Sequence, residues 1–383
     1  MRFITTTLLS LLVSLQVMAG KVIKNPVIEY SASWMEITEI ELTKEATIVR
    51  GVLRQGSSIL NNTVLADRNT GKEFKFLRVI DYKKFVENSR KWLEDYINSN
   101  HLQSLVIGIS GGIDSTVSCA IASPVCKKLN IPLIGRSLPS ESNAPQENNS
   151  AQLVGEAFCN DFKIVSISNT FKSVHKLCYE GECLNHSKVI NNISNLQDGN
   201  IKARLRMIYL RNLASMHGGV VLDNDNFTEW ELGFWTVGGD SPMDINLGLH
   251  YLWKTEVYEL AEYLYEELAK QATYGYDEFA GKYMKQAESI YKSMKLVPTD
   301  GNGVMSGGDC AQFGLDNYSQ VDDVLKTMYF SNIEDETEKA NEYIRLIDSY
   351  NEQGVDSVMI RHQNSTFKRL PQPIYPSKEE LGL

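Results

Sequence analysis

The sequence predicts an α/β protein: a doubly wound parallel sheet with helices on both faces, preceded by a small β-rich segment. Three observations carry this. From Leu105 to Leu222, short β-branched runs alternate with longer stretches of helical apolar spacing, the pattern of strand-helix-strand units on a parallel sheet. The first of these strands meets its helix through a tight glycine turn, Ser110-Gly111-Gly112. Residues 21 to 78, by contrast, alternate and turn often, as a separate β-rich unit does.

In chain order, residues 1–19 hold Arg2, an apolar run from Leu8 to Leu15, and Val17-Met18-Ala19 ahead of Gly20. This is the plan of a secretory leader, with an apolar core too short to span a membrane as a helix. Residues 20–79 form the β-rich accessory segment, for instance Ala46 to Leu53, and residues 80–383 the α/β domain. A helix is expected from Asp81 to Asn98, packed on the sheet through Phe85, Val86, Trp92 and Leu93. Then come the strand Leu105–Ile109, a helix from Ser115 to Leu129, a strand Pro132–Leu138, a helix from Gln146 to Phe158 and a strand Lys163–Ile167. A helix capped by Asn200 follows, with Arg204 and Arg206 in its first turn, where cations oppose the helix dipole and so point to a ligand. The strand Val220–Leu222 ends in an acidic, amide-rich loop, Asp223 to Glu229.

At 383 residues and net charge −10, without a basic block, the chain is no candidate for binding nucleic acid. Its six cysteines form no metal motif; Cys119 and Cys126 sit as small core residues, and Cys178 and Cys183, flanked by His175 and His186, read as loop thiols that pair only if the protein is exported.

The chemistry centres on the turn. Glycines allow close backbone approach, the first amides of the following helix lack intrahelical partners, and the helix dipole places positive charge there, so a phosphate fits. Ser110 and Ser115 add hydroxyls. Asp114 is too acidic to face a polyphosphate bare, so it is read as a magnesium ligand, with Glu229 at the end of another strand gripping the same ion. The turn lacks the lysine of a G-x-x-x-x-G-K-[ST] loop.

The string SGGIDS resembles the pyrophosphate loop of ATP pyrophosphatases that activate a carboxylate or carbonyl as an adenylate. Further along, NIKARLRM at 200–207, Glu229 with GFWT at 233–236, GGD at 238–240, KTEVYELA at 254–261, PTDG at 298–301, FGLDNYSQVDDVL at 313–325 and FKR at 367–369 resemble, in order, an NAD synthetase of the ammonia-using type. The chain before residue 82 is too short for the glutamine-hydrolysing unit of larger members. The resemblance implies an adenine-nucleotide α-hydrolase-like fold and a homodimer. It further implies ATP phosphates on Gly108, Ile109, Ser110, Gly111, Gly112, Ile113, Asp114 and Ser115, with Asn224, Lys254 and Thr299 at ATP-contacting positions. Asp114 and Lys254 would be catalytic, Asp114 and Glu229 would hold magnesium, and Arg204, Asp244, Phe367 and Lys368 would bind deamido-NAD. The implied reaction is ATP-dependent amidation of deamido-NAD by ammonia, giving NAD, AMP and pyrophosphate through an adenylate.

The chain departs from the family pattern in four places. Asp223-Asn224 stands for Gly-Thr, Val237 for a substrate-binding lysine, Phe367 for a histidine, and Asp309-Cys310 for an Asp-Glu pair. Two alternatives therefore stay open, a non-catalytic nucleotide-binding derivative and another adenylating amidotransferase. Residues 266–297 and 330–358 exceed the family length and are expected as added surface helices. The leader points to export while ATP chemistry points to the cytoplasm.

Overall fold

The computed structural model describes residues 80–180, 190–274, 280–299, 308–331, 333 and 335–370, together with the backbone of five strands between Val22 and Asp67. The secretory-type leader, Cys183 and His186 lie outside the described residues. The chain divides into two compact units, residues 1–82 with 327–342, and residues 83–326 with 343–383.

In the first unit, β1 (Val22–Lys24), β2 (Val27–Ile28), β3 (Trp34–Leu42), β4 (Ala46–Gln55) and β5 (Ser58–Asp67) form an antiparallel sheet in the order β1-β3-β4-β5, with β2 also on β3. This is the β-rich segment expected from the alternation.

The second unit is built on β6 (Ser104–Gly108), β7 (Leu133–Ser137), β8 (Asp161–Ile164), β9 (Gly219–Asp223) and β10 (Ile245–Asn246). All pairings are parallel and the order is β10-β9-β6-β7-β8. Counted from β6 this is 3-2-1-4-5, the doubly wound order, and the direction of winding reverses between β6 and β9. Ligands bind such sheets in the crevice outside the carboxyl ends of the strands at that reversal. The glycine turn follows β6 and the acidic loop follows β9, so the topology alone brings both to one crevice.

Alternate residues of each strand serve opposite faces. Val106, Ile134 and Val221 pack against Leu210, Leu213 and Ala214 of α5 (Ile190–Met216). Burying these six apolar side chains contributes roughly 1.5–3 kcal/mol for each large one. The other face is covered by α2 (Ile113–Leu129) and α3 (Pro145–Phe158). Helix α2 is buried almost all round, Val117, Cys119, Ile121 and Cys126 being fully enclosed. The reason is that α7 (Lys254–Tyr274) and α8 (Ala280–Met294) cover its outer side. Cys119 and Cys126 are thus the core residues their positions suggested, and Cys178 is exposed.

Helix α1 (Tyr82–Ser99) buries Val86, Leu93 and Ile97 and meets α2 through Arg90 and through the Glu94–Lys128 ion pair. Pro124 lies inside α2 and has no N–H to give the Ala120 carbonyl. Arg90 fills that gap, donating from Nη2 to Ala120 O at 3.1 Å and from Nε to Ile121 O at 3.4 Å.

Two expectations are corrected here. The helix expected to start at Asn200 starts at Ile190 and runs 27 residues, so Arg204 and Arg206 lie in its middle and the dipole argument for them falls. Gly199 and Asn200 look like a helix start, but a glycine inside a long packed helix costs only about 1 kcal/mol relative to alanine. The strand expected at Lys163–Ile167 is Asp161–Ile164. Beyond it, Val165 N and Ile167 N still bond to Ser137 O and Pro139 O at 2.8 and 2.9 Å. Helix α8 lies at the surface, with Met284 and Tyr291 exposed, and buries its other face: Ala287, Ser289, Ile290 and Ser293 are enclosed, and Ser293 Oγ meets Thr116 Oγ1 of α2 at 2.8 Å.

After α3 come β8, α4 (Ser168–Tyr179) and α5; after β9 comes α6 (Phe227–Leu232). Past α8 the chain forms α9 (Tyr318–Tyr329), α10 (Glu336–Ser349), α11 (Glu352–Asn364) and α12 (Thr366–Arg369). Among the described residues no helix is long and apolar enough to cross a membrane.

Candidate active site

β6 ends at Gly108, and the chain then turns through Ile109, Ser110, Gly111 and Gly112 into α2. Gly111 has φ +89°, and a Cβ there would press on Glu147 O and lie 2.8 Å from Ala151 N of α3. Only glycine suits that backbone and that space. The turn is braced from outside by Ser150 Oγ, which donates to Gly111 O at 2.7 Å. Inside it, Ser110 Oγ and Ser115 Oγ lie 3.2 Å apart and Ser115 Oγ donates to Gly112 O at 3.1 Å. Gly112 is the N-cap of α2 and supplies no side chain, so the first amides of that helix face the crevice for an anion.

Across the crevice, β9 delivers Asp223 to Glu229. Asp223 shapes its own loop, Oδ1 accepting from Asp225 N at 3.0 Å and Oδ2 from Met243 N at 3.2 Å. Asn224 Nδ2 reaches Gly108 O at 3.5 Å, and its Oδ1 is buried without a partner among the described residues. Asn226 caps α6: its side chain accepts from Glu229 N at 3.0 Å while Glu229 Oε2 accepts from Asn226 N at 3.3 Å. The same side chain donates from Nδ2 to Asp114 Oδ1 at 2.8 Å. One amide thus fixes both carboxylates that the sequence pairs.

Between them sits Lys254, the first residue of α7. Its Nζ is 2.5 Å from Asp114 Oδ2 and 3.0 Å from Glu229 Oε1, and it lies 5.3 Å from the centre of the Tyr318 ring. The lysine side chain is 3 % exposed and the two carboxylates 14 % and 18 %. Burial pulls its ammonium down, but Asp114 and Glu229 outweigh that and hold it well above the ordinary lysine range. Glu229 is pushed up to about 7 by burial and by the neighbouring Asp114, with Lys254 opposing.

The lysine's backbone is held as firmly. Lys254 N donates to Thr228 Oγ1 at 2.8 Å, Thr228 Oγ1 donates to Asp322 Oδ1 at 2.6 Å, and Thr255 N donates to Asp322 Oδ2 at 2.9 Å. Asp322, 1 % exposed on α9, therefore pins the first turns of both α6 and α7. Asn226, Thr228 and Asp322 escape a reading by residue type. Asp322 lies inside the stretch at 313–325, and only the spacing of that motif marked it.

The remaining expected residues gather in two further places. Thr299 Oγ1 bonds Glu147 Oε1, the residue whose backbone also walls Gly111, so Thr299 reaches the rim of the turn. Arg204 Nη2 donates to Val237 O at 3.1 Å, and Lys368 Nζ donates to Gly233 O at 2.6 Å and to Trp235 O, so both meet the segment 233–237. Burial and the nearby Arg361 bring the Lys368 ammonium down to about 8. Phe367 is 53 % exposed. Asp244 uses both oxygens in the fold, Oδ2 accepting from Val221 N at 2.8 Å and Oδ1 facing Arg211 Nη2 at 3.3 Å. Arg206 braces the loop after β7 through Leu138 O at 3.0 Å and Asn143 Oδ1 at 3.2 Å.

Asp225 and Asp240 extend the acidic wall beside Glu229, and burial raises both carboxyls. Among the described residues no group of three or more His, Cys, Asp or Glu forms a metal cage. Two converging carboxylates nonetheless suit magnesium, which takes one or two of them and fills its remaining positions with phosphate oxygens and water.

A crevice at the reversal of a 3-2-1-4-5 sheet, with helix amides for an anion on one wall and carboxylates on the other, is that of an enzyme handling nucleotide phosphates. The NAD synthase family matches residues 85–372, and the chain belongs to that family. An NH(3)-dependent NAD(+) synthetase from Finegoldia magna is 31% identical over 186 residues, covering 48% of this chain and 70% of that protein. Among solved structures, the NMN synthetase of Francisella tularensis superposes with a TM-score of 0.57 at 23% identity, over 78% of this chain and 100% of the other. The NH3-dependent NAD synthetase of Campylobacter jejuni does so with a TM-score of 0.51 at 20% identity and the same coverage.

Proposed function

We propose that this chain is a ligase that amidates deamido-NAD with ammonia at the expense of ATP. The observation that carries the reading is the meeting of the SGGIDS turn with Lys254, Asp114 and Glu229 in one crevice, within a chain of the NAD synthase family. The reaction has two steps. The nicotinate carboxylate attacks the α-phosphorus of ATP and pyrophosphate leaves; ammonia then attacks the acyl carbon and AMP leaves, giving the amide.

The residues' parts follow from their chemistry. Amides of Ile113, Asp114 and Ser115 with the Ser110 and Ser115 hydroxyls receive the phosphates, Gly108 and Ile109 leave the backbone open to them, and Asn224 and Thr299 line the approach. Lys254 neutralises charge on the transferring phosphate, and its position is fixed in advance by Asp322, which is where such catalysis gains. Asp114 and Glu229 would hold magnesium, which when bound screens the polyphosphate charge. Arg204 and Lys368 at the segment 233–237, together with Asp244 and Phe367, receive the dinucleotide, across a homodimer interface in the family arrangement, and Asp244 also holds β9. Residues 1–19 act as a secretory-type leader and residues 20–79 as an accessory unit ahead of the ligase domain.

The test uses the full chain with ATP, magnesium, ammonium and deamido-NAD, following pyrophosphate and NAD together, with Asp114→Ala as control. NAD formation absent from the control supports the reading. Nucleotide binding without pyrophosphate release overturns it in favour of a binding protein. Pyrophosphate release with another acceptor, such as the corresponding mononucleotide, redirects it to another amidating ligase.

A further inference from the structure

Helix α6 carries Glu229 yet is only six residues long, too short to hold itself. Its N-terminus is secured by Asn226. Its C-terminal carbonyls, at Glu231, Leu232 and Gly233, follow the last helical acceptors and need donors from elsewhere. They find them on α11 and α12. Arg361 donates from Nε to Leu232 O at 2.8 Å and from Nη2 to Gly233 O at 3.5 Å, with its guanidinium 5.0 Å from the centre of the Phe234 ring. Ser365 Oγ donates to Glu231 O at 3.1 Å, and Arg369 Nη1 donates to the same carbonyl. The His362 ring nitrogen Nδ1 is 3.2 Å from the Glu231 carboxylate. The fit leaves no slack: Gly233 has φ +60°, and a Cβ there would lie 2.6 Å from Ser365 Cβ. Three cations, Arg361, Lys368 and Arg369, therefore stand at the negative end of the helix that presents Glu229.

We infer that Arg361 is a positioning residue for the reaction: by capping the Leu232 and Gly233 carbonyls it fixes α6, and through α6 the placement of Glu229 against Lys254. This rests on the reaction proposed above. Arg361 lies in none of the motifs that mark the family in this sequence, and it touches neither Glu229 nor the glycine turn. Its neighbours on α12 share the latch, but among the described residues Arg361 alone bridges the last helical residue and the glycine that ends the helix.

The experiment reads the latch by two independent signals in the full chain. Trp230 on α6 stacks on Trp235, ring centres 5.1 Å apart and planes 11° apart, so near-ultraviolet circular dichroism of that pair reports where α6 lies; Trp230→Phe assigns the band. In Arg361→Ala the band is expected to collapse and kcat to fall about tenfold or more, a misplacement effect, with KM for ATP within about twofold. Added guanidinium is expected to restore part of both, and Arg361→Lys to lie between, which also serves if the alanine variant does not fold. A retained band shows that Arg361 does not hold α6, and a lost band with unchanged kcat shows that α6 does not set the rate; either overturns the inference. If the wild-type chain forms no NAD, the functional reading fails by itself, and the Trp band still decides for or against the latch.

Discussion

Lys254 Nζ and Asp114 Oδ2 stand 2.5 Å apart with the lysine 3 % exposed, although 140 residues separate them in sequence. The two residues open two different helices, α7 and α2; Lys254 is held by its backbone N–H on Thr228 Oγ1, and Asp114 by Asn226 Nδ2 on its carboxylate. The contact with Glu229 on the other side makes a buried lysine shared by two carboxylates. Such a group is stable only as a whole, because taking any charge out of water is costly unless its partners stay beside it.

Removing the lysine therefore has two effects. Lys254→Met leaves two carboxylates facing each other without a counter-charge, and the expected loss of stability is about 3 kcal/mol. Activity is expected to fall about 100-fold or more, since charge on the phosphate then goes unmet. Thermal unfolding at two pH values checks the cause. The deficit should be larger at pH 8 than at pH 6, because a protonated Glu229 no longer needs the lysine. An equal deficit at both would place the damage in packing instead.

The same centre sets a pH dependence. Glu229 is raised from 4.5 to about 7 by burial and Asp114, so between those values the folded chain binds a proton that the unfolded chain has lost. Its contribution to stability is fully present below 4.5 and is lost as pH rises through about 7. Asp225 and Asp240 are raised by burial and act in the same direction. The unfolding midpoint should therefore fall from pH 5 to pH 8, and Glu229→Gln should flatten part of that slope. Magnesium added at pH 8 should raise the wild-type midpoint and leave Glu229→Gln unmoved. A slope identical in the variant would remove Glu229 as its source.

Much of this was legible in the sequence because it is local. β-branched runs and a two-glycine turn specify β6, its turn and α2 without help from distant residues. The rule that loops at strand ends meet at the reversal of the sheet brought Asp114 and Glu229 together before any coordinates. What stayed hidden depends on distant partners. Asp322 is one acid among many until Thr228 and Thr255 are seen on either side of it. The inward face of the surface helix α8 was hidden because its buried residues include small ones, Ala287, Ser289 and Ser293, which leave a weak apolar stripe. The start of α5 was hidden by Gly199-Asn200, a local start signal that packing on β6 and β9 overrides.

Gly111 offers a test of the turn. Its φ of +89° and the backbone of α3 behind it leave no place for a methyl group. Gly111→Ala should cost about 1–3 kcal/mol of stability through strain. Since the strain falls on the turn itself, KM for ATP should rise more than KM for deamido-NAD. Gly238→Ala is the control: it also has positive φ, at +65°, but nothing lies within 4 Å of the added Cβ. Equal effects on ATP from both variants would mean that backbone strain alone, and not the closeness of α3, shapes the turn.

Arg90 and Pro124 form a compensating pair that a double-mutant cycle can expose. Pro124 deprives Ala120 O of its helical donor, and Arg90 Nη2 supplies one from α1 at 3.1 Å. Arg90→Met leaves that carbonyl unsatisfied against α2 and should destabilise the chain by about 1–3 kcal/mol. Pro124→Ala restores an N–H at the position the helix ladder needs, so on its own it should be close to neutral. In the double variant the alanine N–H takes the place of the guanidinium, and the cost of losing Arg90 should shrink by about 1 kcal/mol. Thermal unfolding of the four proteins measures that coupling. Strict additivity would show that Arg90 stabilises α2 through the packing of its stem alone, and that the proline left no gap to fill.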